Sequence, residues 1–174
     1  HAVLLTAPGE PYIYYGEELG IYGTKEKADE YVRSPMLWGD NFTTSYTDKI
    51  DATVASSIKS VEEQKENNNS LLSTYISFTR LRNTYPSLAQ GTMTKHTVYN
   101  ESNEKYKTIG AWYMIKDSEK MLVLHNFGNI AVELSLTDNI EKAVGISGTA
   151  QVKDGDNTSI KLGAYSSLVY KIAQ

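Results

Sequence analysis

The chain has 174 residues, no cysteine, and 17 Lys+Arg against 21 Asp+Glu, for a net charge of −4. This excludes disulfides, thiolate metal sites and cysteine nucleophiles, and leaves no basic footprint for nucleic acid. No run of about 18 apolar residues is present, so no membrane span is expected. Tyrosine is abundant, at 13 against 3 Phe and 2 Trp. Its flat apolar face and polar tip suit sugar handling, and equally suit an ordinary β-sandwich.

In chain order, HAVLLTAPG opens without Met, on an apolar stretch that lacks a capping residue. It reads as a buried element entered midway, so the native chain is expected to continue upstream. Ala2 to Leu5 is too short for periodicity to separate helix from strand, and Pro8-Gly9 stops it. Tyr12 to Tyr15 (YIYY) is β-branched and aromatic with no polar face, which predicts a short buried strand ending at Gly16. Residues 17–69 read as a long loop, the kind that is usually functional or disordered, with a turn or two of helix over Val61 to Glu66. Leu71, Tyr75, Phe78, Leu81 and Tyr85 then recur at helical spacing. Asn69 or Ser70 supplies the cap and Pro86 the stop. Arg82 falls on the apolar side, which predicts a stem lying along the core with a paired head group.

From about Thr92 the period becomes two. Ile109, Ala111, Tyr113 and Ile115 share a face. Met121 to His125 is continuously apolar, while Val132, Leu134 and Leu136, and later Leu168, Tyr170 and Ile172, alternate with their neighbours. Turn signals stand at Asp117-Ser118, Gly128-Asn129 and Asp154-Gly155. Short strands with regular turns predict an antiparallel sandwich or barrel. The boundary is placed at Ser87 to Thr92, giving domains 1–88 and 89–174.

The chemical candidates are few. Glu17-Glu18 follows the YIYYG run, where α/β barrels place chemistry at strand C-termini. Adjacent residues do not face each other across a glycosidic bond, so the bare residues favour a structural role for Glu17. His1, His96 and His125 share no metal-ligand spacing; His125 reads as a satisfied core or edge histidine. Asp154-Gly155-Asp156-Asn157 lacks the downstream Glu of a calcium loop and reads as a hairpin turn. Asn-x-Ser/Thr sequons at Asn41, Asn68, Asn100 and Asn157 are common by chance. Phosphate-loop and esterase motifs are absent. Arg33-Ser34-Pro35-Met36-Leu37-Trp38 joins a planar donor fork to an indole face, good equipment for gripping a sugar ring. A loop pinned into the core by Trp38 is the equal alternative.

Three segments, PGEPYIYYGEELG (8–20), VRSPMLW (32–38) and SLLSTYISFTRLRNTYPSLAQG (70–91), occur in this order in the α-amylase superfamily of glycoside hydrolases, which the chain resembles. AWYMIKDSEKMLVLHNFGN and IKLGAYSSLVYKI resemble the hairpin and closing strand of that family's domain C. The overall pattern resembles bacterial starch-degrading α-amylases. The resemblance implies an α+β fragment: the end of a (β/α)8 barrel followed by an all-β antiparallel sandwich. His1 to Thr6 would end the seventh barrel helix, Tyr12 to Tyr15 would be the eighth strand, and Ser70 to Tyr85 the eighth helix.

The resemblance further implies a retaining hydrolase of α-1,4-glucosidic bonds, working through a carboxylate nucleophile and a carboxylic acid. Those residues and the family's third, stabilising carboxylate lie on strands that would precede His1, so no catalytic residue is expected here. An oligo-α-1,6-glucosidase, a glucosyl transferase, or a non-catalytic sandwich that binds glucan or buttresses the barrel are the alternatives. Arg33, Trp38, Tyr15 and Glu17 are the expected substrate-binding or site-shaping residues. No metal site or cofactor is expected in this chain, calcium being a matter for the full-length enzyme. The expected partners are α-glucan and the remainder of the barrel, and the expected location is secreted or on the bacterial cell surface.

Overall fold

The computed structural model describes residues 1–23, 26, 28–39, 57–98, 102–153 and 156–173. Its compact units are residues 1–11 with 77–174, and residues 12–76.

Among the described residues the first unit is built on eight antiparallel strands. β1 (Thr92–Lys95), β2 (Ile109–Lys116), β3 (Glu119–Asn126), β8 (Ser167–Ile172) and β5 (Ile140–Ser147) pair in the order β1-β2-β3-β8-β5. β4 (Val132–Ser135), β7 (Asp156–Leu162) and β6 (Ala150–Lys153) form a second sheet in the order β4-β7-β6. The β2–β3 hairpin turns through Asp117-Ser118, with Lys116 opposite Glu119 and Asp117 at φ 52°. A two-residue hairpin needs such a left-handed residue, and Asp tolerates it.

Alternation places Ile109, Ala111, Leu122, Leu124, Leu168 and Tyr170 on one face of the larger sheet. There they meet Val132, Leu134, Leu136, Ile160 and Leu162 of the smaller one. Met114, Met121 and Val123 point the other way and are equally buried. On that side α4 (Pro86–Gln90) packs against β2 and β3, and α1 (Ala2–Thr6) against α4. Burial on both faces explains why Met121 to His125 reads as a continuous apolar run.

α3 (Leu71–Thr84) carries the expected stripe, with Tyr75, Phe78 and Leu81 buried. Ser70 caps it by accepting the Ser73 N–H at 3.0 Å. Pro86 both stops α3 and occupies the first turn of α4, where its missing N–H costs nothing. Arg82 is buried, and its guanidinium donates to the carbonyls of Leu5, Ala7 and Gly9. Its head group is held by the turn after α1, not by a carboxylate.

The second unit differs from the sequence expectation. Tyr12 to Tyr15 is not a buried strand: it carries no ladder pairing among the described residues, and Tyr12, Ile13, Tyr14 and Tyr15 are exposed. A strand needs a partner for its N–H and C=O groups, and none of the eight strands pairs with this run. Residues 17–69 are not one loop. They hold 3₁₀ turns at Glu17–Leu19 and Asp29–Val32, and α2 (Val61–Lys65). A small core of Leu19, Val61 and Leu72 anchors these pieces, with Ile21, Met36 and Ile58 packed on it. Asn41, Asn100 and the Asp154-Gly155 turn lie outside the described residues.

Candidate functional site

The residues that follow the YIYY run are positioned by Gly16. Its φ is 86°, and a Cβ there would meet Ile21 Cδ1 at 2.7 Å. Only glycine fits both demands. The Gly16 carbonyl accepts from Leu19 and Ile21 N–H at 3.1 and 2.9 Å, reversing the chain so that Glu17 opens the 3₁₀ turn. Tyr75 Oη donates to Glu17 Oε2 at 3.4 Å, which ties the carboxylate to α3. Burial, then the charges of Glu17 and Glu18, push the Tyr75 hydroxyl well above the usual phenol range and keep it a donor.

Arg33 ends the second 3₁₀ turn and lies 3.8 Å from Asp29 Oδ2, with both side chains largely in water. Such a pair contributes little stability and leaves the guanidinium donors available. Burial and the neighbouring Tyr14 raise the Tyr15 hydroxyl, while the Arg33 charge pulls it down. Tyr15 and Arg33 therefore lie close enough for the guanidinium charge to act on the phenol.

Trp38 is held by different means. The Leu37 and Trp38 carbonyls accept from Val61 N–H at 2.9 Å and Glu62 N–H at 3.1 Å, fastening this segment to the start of α2. Leu37 is the buried anchor, and the Trp38 side chain is 52% exposed. The reading of Trp38 as a core pin is thus replaced by one with Leu37 in that role.

Two features escaped the sequence. Ser34 Oγ and Glu18 Oε2, each next in the chain to a rim candidate, are buried without a hydrogen-bond partner among the described residues. A cleft of about 520 Å³ also lies between the turn after Gly16 and the α2–α3 segment. Neither follows a local pattern, since both arise where chain segments meet.

His96 and His125 are both hydrogen-bonded at each ring nitrogen. Thr6 Oγ1 donates to the Ala2 carbonyl at 2.6 Å, so it accepts from His125 Nε2 at 3.0 Å; Ser167 Oγ then donates to Nδ1 at 2.7 Å. Burial holds the His125 pKa down at about 4. His96 Nδ1 accepts the Val98 N–H at 3.0 Å, and Nε2 donates to Asp138 at 2.9 Å. Burial alone would raise the Asp138 pKa, but hydrogen bonds from Tyr113 and His96 outweigh it and lower the pKa. Among the described residues no group of three His, Asp or Glu is arranged to hold a metal. Among the same residues no helix is long and apolar enough to cross a membrane.

The family model for the α-amylase catalytic domain matches residues 1–91, and the model for the C-terminal domain of α-amylase SusG matches residues 109–169. The chain belongs to the α-amylase family of glycoside hydrolases. It is 63% identical over 173 residues to α-amylase SusG of Bacteroides thetaiotaomicron, across 98% of this chain and 25% of that protein. It is 27% identical to α-amylase 3 of Dictyoglomus thermophilum, across 98% of this chain and 33% of that one. The chain thus spans about a quarter to a third of these relatives. Among solved structures it superposes on the R284C mutant of the trehalulose synthase MutB with a TM-score of 0.77 at 22% identity, covering 99% of this chain and 37% of that one. An isomaltulose synthase mutant from Erwinia rhapontici gives a TM-score of 0.75 at 20% identity, again over 99% of this chain and 37% of that one. At these identities the superpositions establish the fold: the end of an α-amylase-type barrel followed by an antiparallel sandwich.

Proposed function

We propose that this chain is the C-terminal part of a retaining hydrolase of α-1,4-glucosidic bonds in starch and malto-oligosaccharides. The nucleophile, the acid/base and the stabilising carboxylate then come from barrel strands that precede His1, and residues 1–88 supply the rim of the site while 89–174 form domain C. The observation that carries the reading is the exposed, unpaired Tyr12–Tyr15 run leading into the Gly16 turn. It has the composition of a buried barrel strand and lacks only its ladder neighbours.

In this reading Arg33 offers a fork of donors to sugar hydroxyls, Trp38 a ring face to a pyranose, and Tyr15 a polar tip; Glu17, held by Tyr75, fixes the mouth of the eighth strand. Ser34 Oγ and Glu18 Oε2 find their partners in the missing strands, because buried polar groups are hydrogen-bonded in complete folds. Polymeric substrate fits a secreted or cell-surface enzyme, since starch cannot enter the cell intact.

For residues 89–174 the buttressing role has its own support. Trp112 Nε1 donates to the Thr6 carbonyl at 3.4 Å, and Tyr113 Oη donates to Asp138 at 2.5 Å. Both aromatics are thus used in holding the fold.

The test is hydrolysis of maltoheptaose. The full-length protein cleaves it and the 174-residue chain alone does not. Arg33→Ala in the full-length protein lowers kcat/KM by about 10- to 100-fold, the cost of one or two good hydrogen bonds. Cleavage by the isolated chain, or full activity in the variant, would overturn the proposal.

A further inference from the structure

We infer that the cleft between the 19–22 turn and the α2–α3 segment is a glucan-holding site, taking a short stretch of α-1,4-glucan with one glucosyl ring against Tyr22. The inference rests on the α-glucan reading above for its ligand class, and on the cleft itself for its geometry. None of Tyr15, Glu17, Arg33 and Trp38 lines it.

Its volume of about 520 Å³ lies within the roughly 300–1,000 Å³ of ligand clefts. Leu19, Ile58 and Leu71 give the lining an apolar part, and Tyr22, Lys59, Glu63 and Asn67 a polar one. Tyr22 is half exposed, and its hydroxyl lies 3.2 Å from Ser57 Oγ, a bond that orients the ring. An exposed aromatic ring beside apolar side chains matches the C–H face of a pyranose, and amide, ammonium and carboxylate groups match its hydroxyls.

Charge decides the ligand class. Lys59 Nζ is 2.9 Å from Glu63 Oε1, so among the described lining residues the cation is already paired and the charges balance. A phosphate or carboxylate ligand would have to face Glu63, whereas an uncharged polyol would not.

The cleft is also pre-formed. Gln64 is buried, and its whole amide is spent on the surrounding segments. Nε2 donates to the Leu19 and Lys59 carbonyls, each at 3.0 Å, and Oε1 accepts the Leu72 N–H at 3.1 Å. One side chain therefore locks the turn, the approach to α2 and the first turn of α3 together. A site fixed before binding loses less entropy when occupied.

The test uses the full-length protein and β-cyclodextrin, a cyclic α-1,4-glucan without chain ends, titrated by calorimetry. Tyr22→Ala weakens binding about ten-fold, and Tyr22→Phe, which keeps the ring, retains most of it. A crystal soaked with β-cyclodextrin shows a glucosyl ring over Tyr22. Unchanged affinity in Tyr22→Ala, equal loss in Tyr22→Phe, or a soaked crystal with sugar elsewhere and this cleft empty would each overturn the inference. If Tyr22→Ala fails to fold, the Phe variant and the soaked crystal decide it. Maltoheptaose hydrolysis is followed separately in the unaltered protein. Tyr22-dependent binding without hydrolysis removes the proposed activity and leaves the cleft, and hydrolysis with binding indifferent to Tyr22 does the reverse.

Discussion

Two apolar runs of this chain meet opposite fates. In β3, Met121 to Asn126 are all buried. Tyr12 to Tyr15, which by composition favour a strand at least as strongly, lie exposed. The residues do not explain the difference; the neighbours do. β3 pairs with β2 along its full length and with β8 over Met121 to His125, with a second sheet below and helices above. Among the described residues the tyrosine run has no ladder partner. Strand propensity is in large part a measure of fit to a half-buried surface, and without the surface it has little to act on.

The sharpest way to break that comparison is to truncate one residue in each run. Leu124 is fully buried between the sheets, so Leu124→Ala should cost about 3 kcal/mol, the usual range for a leucine cavity. Ile13→Ala in the same 174-residue chain should change stability by less than about 0.5 kcal/mol. Urea unfolding midpoints at constant slope measure both. In the full-length protein the Ile13 cost should rise well above that figure. Equal costs in the short chain would mean that Tyr12–Tyr15 is buried after all.

A second test of the sandwich uses its buried histidine. His125 is neutral in the fold with a pKa of about 4, below the roughly 6.5 expected when unfolded. Between those values the unfolded chain binds the extra proton, so stability falls as pH drops from about 6.5 to about 4. The contribution is fully present above that window and worth on the order of 3 kcal/mol. His125→Gln should flatten this part of the stability–pH curve relative to the unaltered chain, whatever its effect at neutral pH. An unchanged slope would show that the ring is not desolvated as its surroundings imply. Residues 12–76 hold no histidine, so their local stability should not follow this curve.

Much of the sandwich was legible because each signal was local or strictly periodic: the Asp117-Ser118 turn, the Ile109/Ala111 alternation, the double-sided run at Met121. The α3 stripe and its Pro86 stop were legible for the same reason. Less legible were the features that depend on distant chain. Arg82 was placed correctly on the core side, but its carbonyl partners lie more than 70 residues away. Glu17 finds Tyr75 across 58 positions, and Gln64 reaches Leu19 across 45. No pattern within a window of 18 residues encodes such bonds. The exposure of Trp38, with Leu37 buried beside it, was not legible either, because the α2 backbone that receives both carbonyls lies more than 20 residues away.

α2 itself is the smallest lever and the cleanest separation of local from tertiary causes. Five residues cannot sustain a helix in water, yet Val61–Lys65 forms one. Ser60 Oγ accepts the Glu63 N–H at 3.2 Å while Glu63 Oε2 accepts the Ser60 N–H at 3.0 Å, a reciprocal capping box. Val61 at the first position is buried against Leu19 and Leu72. Ser60→Ala removes half the box and should cost about 1 kcal/mol. The effect should appear first as faster amide exchange over Val61 to Lys65, with β2 and β3 amides unchanged. The Leu37 and Trp38 carbonyls lean on the first N–H groups of this helix, so the Trp38 segment should loosen with it. Slowed or unaltered exchange would mean that the small core, and not the cap, holds the helix.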